Sequence, residues 1–149
     1  MMPDTEKTID TLNAFLRGEI SAVETYQQAL EKLDAFSARQ QLEECKRSHQ
    51  QRVEKLRRQI TQMGGTPSEG SGPWGAFTKL FEGGAKLFGE KAAIAALEEG
   101  EDHGLRLYRD DMDKLDLQSR QLVEMDLLPA QERTHSFLSS LKHTQTQQH

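Results

Sequence analysis

The chain offers little material for strands. Valine and isoleucine together occur 7 times against 18 leucines, and aromatic residues make up 6% of the 149 residues. Strands favour β-branched and aromatic side chains, and parallel sheets need Val/Ile runs, so an all-β fold and a parallel α/β sheet are both excluded. Cysteine occurs once, at Cys45, which rules out an internal disulfide and a cysteine-based zinc site. No stretch approaches the roughly 18 apolar residues of a membrane-spanning helix. Basic excess is absent too: the net charge is −5, so a nucleic-acid partner is not expected. The opening residues 1–10 are polar and acidic and do not read as a secretory leader, and the expected location is the cytoplasm.

What is present is helix-forming. Leucine, glutamate and glutamine dominate, and 29% of the chain is charged. The breakers are concentrated: 8 of the 11 glycines and two of the four prolines fall between Gly64 and Gly89. Shorter breaks fall near Asp34 to Ser37, with Ser37 as helix cap, and near Leu115 to Ser119, with Asp116 or Ser119 as cap. The predicted helices are 4–34, 37–63, 90–115 and 118–142, in a single domain over 1–143 followed by a polar tail over 144–149. Trp74, Phe77, Phe81 and Phe88 recur near helical spacing, which predicts a short amphipathic helix within the long connection. Two short turns and one long connection predict an all-α, up-down four-helix bundle with a crossover between its second and third helices. A repeat reinforces this. Gly18-Glu19 with Ala22 and Tyr26 is matched 82 residues later by Gly100-Glu101 with Gly104 and Tyr108.

Polar residues interrupt the apolar stripes. Helix one runs Ile9, Leu12, Leu16, Glu19, Val23, Tyr26, Leu30, Leu33, with Glu19 as the exception. Helix two runs Leu42, Cys45, His49, Arg52 or Val53, Leu56, Ile60, Met63, with His49 on the stripe. Helix three runs Ile94, Leu97, Glu101, Gly104 or Leu105, Tyr108, Met112, Leu115, interrupted by Glu101. Helix four runs Leu122, Met125, Leu128, Glu132, His135, Leu138. An unpaired carboxylate in a core costs several kcal/mol or takes up a proton, so these residues need partners. Glu19 and His49 lie symmetrically about position 34, near the first turn; Glu101 and His135 lie about position 118, near the second. Carboxylates and imidazoles level in a bundle core form the site type of di-iron and di-manganese carboxylate proteins.

These residues resemble a family. Glu19, Ala22, Tyr26 and His49 resemble the first hairpin of rubrerythrin-type ferritin-like proteins, and Glu101, Tyr108 and Glu132-x-x-His135 the second. The stretch from Gly64 to Tyr108, with Gly-Gly-x-Pro, Trp-Gly and a glycine-rich aromatic connection, resembles an uncharacterised bacterial family of ferritin-like four-helix proteins. The resemblance implies a ferritin-like bundle holding one or two iron ions, or manganese, with a metal ion as partner, and admits a homodimer. Its metal ligands would be Glu19, His49, Glu101, Glu132 and His135, with Tyr26 and Tyr108 hydrogen-bonding them from behind. Lys46 stands where the family motif has a sixth ligand, a glutamate. Lys46 is therefore expected to reach the level of Glu19 and compete with metal. Two alternatives accompany this reading. One is a metal-free bundle with a buried salt-bridge network and an interaction or stress role. The weaker one is a peripheral-membrane hydroxylase like the demethoxyubiquinone hydroxylases, docked through the 74–88 segment.

Overall fold

The computed structural model describes residues 4–32, 38–72 and 86–147. Four helices account for nearly all of them. Helix α1 spans Thr5–Lys32, α2 spans Arg39–Gln62 and α3 spans Lys86–Asp111. The fourth helix, α4, has an α-helical start over Leu117–Leu122, a π-helical turn over Val123–Leu127 and a longer α-helical part over Leu128–Gln147. The predicted helices agree to within a few residues, with two extensions. Helix α3 begins four residues earlier than predicted, and α4 continues to Gln147 through most of the expected tail. That end is rich in glutamine, a good helix former, and Thr144 Oγ1 donates to Ser140 O at 2.9 Å. The predicted cap Ser37 lies outside the described residues, as do Trp74, Phe77 and Phe81 of the predicted crossover helix.

The helix ends follow local chemistry. Glu6 N donates to Asp4 Oδ1 at 3.1 Å, so Asp4 satisfies a free N–H at the start of α1. Helix α2 stops in a paired-carbonyl motif, in which Gly65 N donates to Ile60 O at 2.9 Å and Gly64 N to Thr61 O at 3.0 Å. The motif requires a left-handed residue, and Gly64 supplies it at φ 83°. Of the two caps the sequence offers, Asp116 is the one used: it caps α4 by accepting from Ser119 N at 2.9 Å. Asp116 N in turn donates to Thr8 Oγ1 at 3.0 Å, which ties this turn to the start of α1.

Cross-links between helices fix the topology. Glu19 meets His49 and Gln27 meets Lys46, so α1 and α2 are antiparallel. Tyr26 meets Glu101 and Tyr108 meets Glu19, so α1 and α3 are antiparallel. Arg52 meets Thr134 and Gln59 meets Ser119, so α2 and α4 are antiparallel. Asp102 meets His135 and Arg109 meets Glu132, so α3 and α4 are antiparallel. Diagonal helices α2 and α3 therefore run parallel, with the last turn of α2 and the first turn of α3 at opposite ends of the bundle. The first part of the connection between them, 64–72, lies along α1: Asn13 Nδ2 donates to Thr66 O at 3.1 Å, Asn13 Oδ1 accepts from Ser68 N at 2.8 Å, and Arg17 Nη1 donates to Ser68 Oγ at 3.1 Å.

The core has two apolar clusters. One, at the α1 N-terminal end, joins Leu12, Phe15, Leu16, Leu56, Ile60, Leu115, Val123 and Leu127. The other, at the opposite end, joins Ala29, Leu30, Leu42, Ala93, Ile94, Leu97 and Leu138. Between them lies a layer of buried polar side chains.

The left-handed position gives the first test. Gly64→Ala should lower the free energy of unfolding by about 1–2 kcal/mol, the cost of an L residue in that conformation. Gly70 has open space around its Cβ position and no positive φ, so Gly70→Ala should stay within about 0.5 kcal/mol of wild type. Urea titrations of the three proteins check the contrast.

Candidate functional site

Each helix sends side chains into the middle layer. Helix α1 contributes Glu19 and Tyr26, α2 contributes His49 and Arg52, α3 contributes Glu101 and Tyr108, and α4 contributes Gln131 and Thr134. The four ionisable members Glu19, His49, Arg52 and Glu101 are 4%, 2%, 1% and 3% exposed, so their charges must be balanced inside the protein.

His49 is the centre. Its Nδ1 lies 2.5 Å from Glu19 Oε1 and its Nε2 lies 2.7 Å from Glu101 Oε2. The other Glu19 oxygen, Oε2, accepts from Tyr108 OH at 2.5 Å and from Arg52 Nη1 at 3.4 Å. Glu101 Oε2 also accepts from Tyr26 OH at 2.5 Å. Glu101 Oε1 accepts from Thr134 Oγ1 at 2.7 Å and Gln131 Nε2 at 2.9 Å. Arg52 reaches across to α4, donating from Nη1 to Gln131 Oε1 and from Nη2 to Thr134 Oγ1 at 3.0 Å. It also donates to Ser48 Oγ at 3.0 Å. Every oxygen of both carboxylates has a donor.

The electrostatics follow from this pairing. Burial alone would raise the carboxyl of Glu19, but Arg52 and His49 beside it, and hydrogen bonds from His49 and Tyr108, take it down to about 2. Burial likewise works against Glu101, and His49, Arg52 and Tyr26 outweigh it, so this carboxyl is lowered too. Burial and Arg52 depress His49, yet its two carboxylate partners prevail and raise it above 6.5. Both ring nitrogens face carboxylate oxygens, so both carry protons and the ring is an imidazolium. Burial, with the neighbouring carboxylate, raises both tyrosines well above their ordinary range, which keeps them as neutral donors. Two negative and two positive charges thus close the layer at zero. Cys45 lies just beyond it, and burial, with Glu101 adding to it, pushes its thiol up to about 12, so it is no thiolate nucleophile.

Five of the expected residues meet here: Glu19, His49, Glu101, Tyr26 and Tyr108. Three do not. Glu132 is on the surface, 3.2 Å from Arg109, and His135, 23% exposed, is turned away from the layer, 3.6 Å from Asp102. Their places on the inward face are taken by Gln131 and Thr134. Through the π-helical turn successive inward residues are Ser119, Val123 and Leu127, and after it the buried stripe continues as Gln131, Thr134 and Leu138. Glu132 and His135 each follow a buried residue by one position, about 100° round the helix, which turns them off this face. Met125, predicted inward, is 79% exposed. Lys46 also departs from expectation: its Nζ donates to Gln27 Oε1 at 2.7 Å and lies 3.6 Å from Glu43, away from Glu19. Arg52 supplies the buried cation instead, one turn after His49. One signal pointed to the two newcomers on α4. Adding the 82-residue repeat to His49 gives Gln131, and adding it to Arg52 gives Thr134.

Two small cavities of about 30 Å³ each flank His49 on the α1–α3 side. Both are bordered by Gly18, Ala22 and Gly100; one reaches Tyr26 and Glu101, the other Glu19 and Tyr108. Each has room for about one water. Among the described residues no three His, Cys, Asp or Glu side chains are gathered as ligands for one ion.

Geometry and topology define the class: an all-helical four-helix bundle with a charge-closed polar layer at mid-height. The chain belongs to the family described as a domain of unknown function (DUF2383), whose family model matches residues 7–114. That stretch holds Glu19, His49, Arg52 and Glu101 and stops short of Gln131 and Thr134. No curated protein and no solved structure matches the chain.

The layer makes stability depend on pH in two limbs. Glu19 is lowered from 4.5 to about 2, so its contribution is present above pH 4.5 and is lost as pH falls towards 2. His49 is raised, so its contribution is present below pH 6.5 and is lost as pH climbs through its raised value. Thermal midpoints should therefore fall on both sides of the window from pH 4.5 to 6.5. His49→Gln should remove the alkaline fall. Glu19→Gln, which leaves one buried positive charge unbalanced between Arg52 and His49, should cost about 3–5 kcal/mol. Tyr108→Phe, which removes one donor to a charged acceptor, should cost about 1.5–3 kcal/mol.

Proposed function

We propose that this chain is a ferritin-like four-helix bundle whose layer balances its own charges without metal, and that it works as a non-catalytic scaffold through its surface. The observation that carries this reading is the bridging position of His49. A metal-binding imidazole must be neutral and present a lone pair. Here each ring nitrogen is engaged by a different carboxylate, on opposite sides of the ring, so one ion has no shared position among Glu19, His49 and Glu101. The donor set as it stands does not fit iron or manganese. The outward positions of Glu132 and His135 remove two further ligands that the family resemblance implied. The cavities beside the layer support a surface role, because a space of about one water admits no organic substrate.

The parallel course of α2 and α3 supports the ferritin-like connectivity. The membrane-docked hydroxylase has less support. Among the described residues no helix is long and apolar enough to cross a membrane, and a hydroxylase needs the ligand set discussed above.

Metal analysis decides the matter. Protein produced with iron and manganese supplementation and purified without chelators should carry far less than one ion per chain by elemental analysis. Retention of about one or two ions per chain, lost in His49→Ala, would overturn the metal-free reading and reinstate the iron or manganese centre.

A further inference from the structure

We propose that Arg52 is the residue that keeps divalent cations out of the layer, and that exchanging it with its repeat counterpart opens a divalent-metal site there. The inference rests on the metal-free reading above. It starts from the internal symmetry. Tyr26 of the first half donates to Glu101 of the second, and Tyr108 of the second donates to Glu19 of the first. The carboxylates and phenols thus obey a twofold relation with an offset of 82 residues. Their partners on α2 and α4 do not. The first half places His49 and Arg52 where the second places Gln131 and Thr134, so both positive charges come from one half. The neutral pair serves the arginine: Gln131 Oε1 and Thr134 Oγ1 both accept from its guanidinium.

Charge counting makes Arg52 decisive. A divalent ion brings the two positive charges that His49 and Arg52 now supply to Glu19 and Glu101. His49 can surrender a proton to make room, whereas a guanidinium cannot deprotonate. With Arg52 in place, a bound ion leaves an uncompensated positive charge in a dry core. There is also no side position for the ion, since the neighbouring cavities of about 30 Å³ each hold about one water and no hydrated cation. Arg52→Thr with Gln131→His copies each half onto the other. It yields two carboxylates and two imidazoles, a hard-to-borderline donor set suited to Co²⁺, Zn²⁺ or Mn²⁺.

The test is a Co²⁺ titration, read by visible absorption and by thermal melting, of wild type, the Arg52→Thr/Gln131→His variant and a Gln131→His control. Wild type and the control, which both keep the guanidinium of Arg52, should show no cobalt ligand-field bands and unchanged melting. The Arg52→Thr/Gln131→His variant should take up about one Co²⁺ per chain and melt higher with it. If that variant is unfolded alone and helical by circular dichroism with Co²⁺, the proposal stands; if it is unfolded in both conditions, or folded without binding, the proposal is overturned. Equal binding by the Gln131→His control overturns it as well, because the charge of Arg52 would then not be the barrier. Binding by wild type instead overturns the metal-free reading itself, which separates the two failures.

Discussion

Two carboxylates lie close together in the middle of the bundle, and neither could remain ionised there alone. Glu19 and Glu101 are 4% and 3% exposed, and an isolated buried carboxylate costs several kcal/mol or takes up a proton. Their pairing with one imidazolium and one guanidinium is the constraint around which the rest of the molecule is arranged. The carboxylates and the two tyrosines come from α1 and α3, the cations from α2, and the amide and hydroxyl of Gln131 and Thr134 from α4, so the network closes only when all four helices stand in one register. Buried networks of this kind are costly when half satisfied, which makes misregistered packings poor competitors.

The apolar clusters on either side can then be ordinary leucine-rich packing. They exclude water from the layer, and the low local polarity strengthens each hydrogen bond within it. Tyr26 and Tyr108 join the two regimes. Each ring packs in an apolar cluster, Tyr108 with its centroid 4.8 Å from Phe15, while each hydroxyl donates to the carboxylate of the other half. The crossing of these two bonds ties the halves together more directly than any surface ion pair. Lys55 with Asp126 and Arg109 with Glu132 are exposed and screened by solvent, and such pairs contribute little.

A divergence between the halves underlies the chemistry. In sequence they repeat a glycine, a glutamate and a tyrosine, and in space those residues keep their symmetry. The symmetry fails at the second helix of each pair, where charge is concentrated on α2 and α4 has become its hydrogen-bonding counterpart. A layer that resembles a metal centre in its carboxylates is thereby closed by the protein's own cations.

Helix number, turn positions and the two carboxylates could be read without coordinates, because each depends on neighbours along one helix. Breakers end helices locally, Asp116 caps the residue three positions on, and Glu19 and Glu101 stand out against seven- or eight-member apolar stripes. His49 was visible for the same reason. The choice of cation was not. Lys46 and Arg52 are each one turn from His49, and only the packing of α4, which offers Gln131 and Thr134 to a guanidinium, draws Arg52 inward and leaves Lys46 at the rim. The inward face of α4 was hidden as well. Glu132 and His135 stand next to Gln131 and Thr134, and stripes of either phase can run into Leu138, so Glu132 and His135 fit the stripe in sequence and lie outside the layer in the fold. Periodicity establishes that a helix has a buried side; the rotation of that helix against its three neighbours settles which residues occupy it.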